Sequence, residues 1–238
     1  MKTILNTKHL AGILVLGAVM TLMMVSPSLA TTNLVTNGSF EDPVDFCSGQ
    51  PNPWHTLYTG DIQTGWTVGG HSIEVVCSAA WEISDGLQSV DLSGDAAGSV
   101  AQDITTSAGT TYDVTFDMAG NLACGDVVKS LTVSADGSSE NFTFDTTGHS
   151  FASMGYEQKT FSFTATDALT TLTFTGNTAG PCGAVIDNIV LAEGTTEPED
   201  GKVTICHKPD TPAEKTLRVP EAALKGHLKH GDTLGPCE

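Results

Sequence analysis

The sequence predicts an all-β protein, two antiparallel sheets packed face to face, followed by a small α+β module rich in Cys and His. Three observations carry this. From Leu87 to Leu191 apolar residues recur at every second position with Thr, Ser and Asp between them, the alternation of strands with one buried face. Turn-forming stretches such as Asp85-Gly86, Ser107-Ala-Gly109, Asp136-Gly137 and Thr175-Gly-Asn-Thr178 separate these runs, giving many short strands. Composition also breaks near residue 200. Residues 31–200 hold 23 acids against Lys129 and Lys159, whereas 201–238 hold six bases, five acids and three of the seven histidines.

Residues 1–30 read as an address. Lys2 and Lys8 precede an apolar run from Leu10 to Val25, and Ser28-Leu29-Ala30 ends in small residues, the pattern of a cleaved secretory signal peptide. Its removal takes two lysines and no acids from a net charge of −18, leaving −20. So acidic a surface argues against nucleic acid and anionic lipid as partners. No further apolar segment is long enough for a membrane span in the mature chain.

The sandwich is expected over residues 31–192. Tyr112, Val114, Phe116 and Met118 alternate with Thr111, Asp113, Thr115 and Asp117, and the pattern returns in Leu131/Val133, Phe142/Phe144, Phe161/Phe163/Ala165 and Leu172/Phe174. No amphipathic helix is expected before residue 219. Residues 193–201, Glu-Gly-Thr-Thr-Glu-Pro-Glu-Asp-Gly, form the expected acidic linker.

The tail, residues 202–238, is expected as a separate module. Thr216–Val219 reads as a strand and Pro220–His230 as a helix, with Pro at its first position and Gly231 after its end. His227 and His230 share a helix face. With His207 and the two tail cysteines they make a zinc-like nitrogen and sulfur set. The competing account is a Cys206–Cys237 disulfide, contributing roughly 3–4 kcal/mol, and an oxidising compartment favours it. The histidines are then left to cap the helix, pair with Asp232, or bind metal without sulfur.

Several ordered motifs in the body carry a resemblance. Asn33-Leu-Val-Thr-Asn-Gly-Ser-Phe-Glu41, Gly65-Trp-Thr-Val68, Asp85-Gly-Leu-Gln-Ser-Val-Asp-Leu92, Thr111-Tyr-Asp-Val-Thr-Phe116 and Ile186-Asp-Asn-Ile-Val190 look like the bacterial choice-of-anchor C domain. The opening also resembles plant cell-wall proteins and carbohydrate-binding modules built on the galactose-binding-like jelly roll. The resemblance implies an extracellular jelly roll with a polysaccharide or cell-wall glycan as partner, and it does not imply an enzyme. The tail resembles a short Cys-His…His-x-x-His-Gly-Asp…Cys module of exported bacterial proteins.

Within the body, Asp187 is in phase with Val185, Ile189 and Leu191 and is expected to point into the core, where an unpartnered carboxylate is costly. If the first and last strands are neighbours, Glu41 approaches it and the pair suits a structural calcium, as the resembled carbohydrate-binding modules also imply. The alternative is that Asp187 bonds backbone amides and Glu41 is exposed. For sugar stacking the candidates are Trp54, Tyr58, Trp81 and Tyr156, which lie in loop-like polar stretches, whereas Trp66 is expected inside. Export permits disulfides. Four cysteines allow three pairings, of which Cys47–Cys77 with Cys124–Cys182 is preferred.

Catalysis finds little support. There is no Gly-x-Ser-x-Gly, no His-Glu-x-x-His and no phosphate-cradling glycine loop, and His55, His71 and His149 are scattered among polar residues. The leading expectation is an exported, non-enzymatic binding protein at the cell surface or beyond. Its rivals are a structural envelope or matrix component that binds no sugar, and, further off, a glycan hydrolase.

Overall fold

A computed structural model describes residues 32–43, 46–47, 51–194 and 202–237. The expected signal peptide and most of the expected linker lie outside these residues. Among them, no helix is long and apolar enough to cross a membrane.

Twelve strands form the sandwich: β1 (Trp54–Tyr58), β2 (Ile62–Gln63), β3 (Trp66–Gly70), β4 (Ser72–Cys77), β5 (Gln88–Asp91), β6 (Gly98–Thr105), β7 (Thr111–Gly120), β8 (Val128–Ala135), β9 (Ser138–Asp145), β10 (Glu157–Thr164), β11 (Leu169–Gly176) and β12 (Ala184–Glu193). The first sheet has the order β1-β4-β5-β12-β7-β10 and the second β2-β3-β6-β11-β8-β9, with every pairing antiparallel. This is the two-sheet antiparallel sandwich expected from the alternation, and the jelly roll that the resemblance implied. The tail forms its own three-stranded sheet from β13 (Lys202–His207), β14 (Lys215–Pro220) and β15 (Thr233–Leu234), with helix α1 (Glu221–Lys229). Pro220 ends β14 and caps the helix instead of opening it.

The alternation sets the core. Tyr112, Val114, Phe116 and Met118 are all buried. Phe116 meets Phe142 and Phe174 of the second sheet edge-on, with centroids 5.2 and 5.1 Å apart. Such pairs contribute about 0.5–1.5 kcal/mol each beyond area burial. Trp66 is fully buried, as expected, and its indole N–H bonds the Asn37 carbonyl at 3.0 Å.

The strands before Leu87 were harder to anticipate. Trp54 and Tyr58, read as loop residues, are the two ends of β1. This strand pairs with β4 alone and buries only Leu57, so an edge strand leaves no clear alternation in sequence.

The opening stretch is not a strand, yet it does lie along the last one. Leu34 N–H donates to the Leu191 carbonyl at 2.8 Å, and the Asn33 side chain bridges the Ile189 carbonyl and Leu191 N–H. Asn37, the first residue of a glycosylation-type Asn-Gly-Ser, spends its side-chain amide on the Asp42 and Thr64 carbonyls. Gly38 approaches β12 so closely that a Cβ there would overlap the Ile189 carbonyl oxygen. Gly38→Ala is therefore expected to destabilise the sandwich by about 1–3 kcal/mol, as overpacking does, read as a lowered denaturant midpoint.

A bulge in β12 corrects the expected direction of Asp187. Asp187 pairs with Asp117 and Val190 with Thr115, so β12 spends one more residue than β7 over this interval. Asn188 takes the left-handed conformation, φ 50°, and the extra residue flips the phase. Met118, on the face that Phe116 turns to the second sheet, pairs with Ile186. Ile186 therefore faces the core, and Asp187 points away from the second sheet, buried beneath a loop rather than inside the sandwich.

Candidate functional site

The outer face of the first sheet carries the site. Register places Trp54 opposite Val76 and Val76 opposite Ser89. The next row runs Thr56, Glu74, Asp91, Val185 and Ala119. Two loops rise over these rows. The Trp81 indole N–H bonds Ser89 Oγ at 3.0 Å, which sets that ring on the sheet. Glu82 then ties this loop to a second one: its N–H donates to the Phe151 carbonyl and its carboxylate accepts Met154 N–H at 2.6 Å. Trp81 and Phe151 consequently stack, 6.2 Å apart and 16° from parallel.

Between this aromatic pair and Trp54 lies a cavity of about 380 Å³, within the ~300–1,000 Å³ usual for small-molecule sites. Glu74 and Val76 belong to its sheet side, and Ala123, Pro181 and Cys182 form the wall facing the aromatics. A second cavity of about 510 Å³ shares Ala80, Trp81 and Phe151 with the first, so the stacked rings form a ridge between two hollows. Trp54 is 49% exposed and Phe151 42%, whereas Trp81 is only 6% exposed. The first two offer exposed ring surface at the cavity, and Trp81 backs Phe151.

Disulfides hold both margins of the cleft. Cys47–Cys77 fastens the base of the Trp81 loop, and Cys124–Cys182 joins the two segments of the opposite wall. Both preferred pairings are present, as is Cys206–Cys237 in the tail. Beneath the second wall the buried Lys129 donates to the carbonyls of Cys124 and Cys182 at 2.6 and 2.7 Å. Burial lowers its pKa, against the attraction of Asp91 and Asp126.

Burial perturbs three of the acids in or below this face. Burial raises the pKa of Glu74, which accepts a bond from the Thr56 hydroxyl. The fully buried Asp91 is pushed up to about 7 by burial, against hydrogen bonds from Asn121, Ser93 and Gly183. Asp187 is pushed up to about 8 by burial, against the N–H groups of Asp85, Asn188 and Ser84. Asp91 and Asp187 keep their protons in the folded protein after the unfolded chain has lost its own near pH ~4. Stability falls as pH rises through that window. The melting temperature is expected to be higher at about pH 5 than at about pH 8, measured by calorimetry at fixed ionic strength.

The other expected residues are not all brought together. Tyr58, 49% exposed, stands apart from the cavity and donates to Asp95 at 2.9 Å. Tyr156 packs on the core, its hydroxyl buried beside Ser89 without a well-formed hydrogen bond, and burial raises its pKa. Neither presents a free stacking face at the cleft. His55 stacks on Phe46, His149 packs on Phe144 and His71 bonds Ser72, so they form no common centre. Phe151 and Glu74 were not anticipated. Phe151 carried a usable signal, an aromatic in the largely polar stretch Gly148-His-Ser-Phe-Ala-Ser153, and Glu74 carried none.

The calcium expected at Glu41 and Asp187 does not fit this arrangement. Glu41 Oε1 accepts the N–H groups of Leu87 and Gln88, each at 2.8 Å, and both Asp187 oxygens accept backbone N–H groups. The two carboxylates fasten opposite ends of the 84–88 loop. Three of the four carboxylate oxygens are thus taken up by backbone N–H groups, whereas calcium needs six to eight oxygens directed at the ion.

The family model for DUF642, a protein of unknown function, matches residues 33–192. The chain belongs to the DUF642 family. The match spans the sandwich and leaves the tail outside it. Halomucin of Haloquadratum walsbyi (strain DSM 16790 / HBSQ001) is 30% identical over 210 residues, 84% of this chain and 2% of halomucin. The chain thus spans a very small part of that relative. Among solved structures, TmCBM61 in complex with beta-1,4-galactotriose aligns with a TM-score of 0.41 and 20% identity, covering 69% of this chain and all of that one. A family 35 carbohydrate-binding module from Clostridium thermocellum gives 0.41 and 10%, covering 59% and 99%. Likeness at this level leaves the function of this DUF642 chain to be argued from its own residues.

Proposed function

We propose that the DUF642 sandwich is a non-catalytic, glycan-binding module of an exported protein, and that its ligand lies in the cleft between Trp54 and Phe151. The carrying observation is that two half-exposed aromatic side chains flank one cavity and that Glu74, with a carboxylate on the same face, lines it. Sugars present apolar C–H faces that pack on such rings and hydroxyls that bond carboxylates. Within the family, the ordered motifs support grouping this chain with the choice-of-anchor C proteins. The leader-like residues 1–30 and three disulfides support a location outside the cytosol, with a polysaccharide of the cell surface or surroundings as partner. A glycan array followed by calorimetric titration tests this. Saturable binding that is strongly weakened in Trp54→Ala is expected. Binding to no glycan would favour the rival role as a matrix component without a sugar site.

A further inference from the structure

The tail holds a second polar cluster, remote in sequence from the cleft. Three elements contribute: His207 ends β13, His227 lies in α1, and Asp232 follows the helix after Gly231. His207 Nδ1 and His227 Nδ1 lie 2.8 and 2.7 Å from the same oxygen, Asp232 Oδ2. The other oxygen of Asp232 accepts Lys208 N–H at 3.0 Å. The Asp232 side chain is 1% exposed and the two imidazoles about a third, at 32% and 29%. A buried carboxylate oxygen is thus roofed by two imidazoles that solvent can reach.

We infer that His207, His227 and Asp232 form a binding site for a divalent transition-metal cation of the zinc class. The ligand atoms already lie within 4.8 Å of one another. A tetrahedral shell with bonds of about 2.0–2.2 Å places its ligand atoms ~3.3 Å apart, so each His–Asp232 pair needs to open by roughly half an ångström. Two imidazole nitrogens and one carboxylate oxygen suit this class of ion, and a water or outside ligand fills the remaining position. The disulfide decides the ligand set. Cys206 and Cys237 are bonded to each other, which removes sulfur and fixes the end of β13 next to His207. His230, the other expected ligand, is exposed at the helix C-terminus and does not join the cluster. A module of this size buries few side chains, among them Ile205, Cys206, Val219 and Asp232, and small modules commonly need a staple beyond their core.

The test is zinc uptake by the chelator-stripped whole protein, measured by equilibrium dialysis and metal analysis with the disulfides intact. One equivalent is expected. His207→Ala and His227→Ala should each weaken uptake at least tenfold, and His230→Ala should leave it unchanged. Should an alanine variant lose the tail fold by circular dichroism, His227→Gln replaces it. That side chain can still donate to Asp232, and the variant should fold yet lose zinc. Failure of the folded wild type to take up one equivalent overturns the site, as does uptake that survives loss of both His207 and His227 or that depends on His230.

Discussion

Phe151→Ala is expected to weaken glycan binding by roughly 30-fold, the ~2 kcal/mol characteristic of a central aromatic contact, with little change in stability. Phe151 is half-exposed and caps the ridge between the two hollows, so its removal opens no cavity in the core. Trp54→Ala should act similarly from the opposite side. Tyr58→Ala, on the same strand but away from the cleft, should bind as the wild type does. Equal losses in all three would mean that the rings contribute through the fold and not through contact. Isothermal titration with the glycan selected on the array distinguishes these outcomes, and thermal melts of each variant supply the control.

The second large effect is expected from the Cys124–Cys182 bond. It spans 58 residues, and the chain-entropy relation for a loop of that length gives about 4 kcal/mol. Against a total of ~5–15 kcal/mol for a typical domain, this is a large share. The double replacement Cys124→Ala/Cys182→Ala should lower the urea midpoint accordingly. It should also lower affinity, because Ala123, Pro181 and Cys182 form one wall of the cleft. The same change loosens the two carbonyls that accept from Lys129, leaving a buried cation with poorer partners. A variant with unchanged stability would show that the reduced chain keeps these segments together without the bond.

How much of this was legible in the sequence depended on the range of the contacts. Tyr112 to Met118 declared their strand because each side chain reports its own face, two residues at a time. The disulfide partners within the sandwich followed from even counts and a preference for neighbouring loops. Asp187 was misdirected because a single left-handed residue, Asn188, breaks the alternation, and nothing in Val185-Ile-Asp-Asn-Ile-Val190 announces a bulge. The cleft was half legible. Trp54 and Trp81 stood out as large aromatics in polar stretches. Their meeting with Phe151 depends on Ser89 and Glu82, bonds formed across segments far apart in sequence. Glu74 looked like any of the chain's 28 acids until β1 and β5 were laid beside it. In the tail, His227 lies in the helix as expected, but the helix ends at Lys229 with His230 as its cap, and Asp232, not His230, completes the cluster with His207.

The location of a bound oligosaccharide, by crystallography or by chemical-shift mapping of the labelled sandwich, bears most directly on the proposed role. The sugar is expected against Trp54 and Phe151, with a hydroxyl near the Glu74 carboxylate. Density or shifts confined to another face of the sandwich, with the cleft unperturbed at saturation, would contradict it.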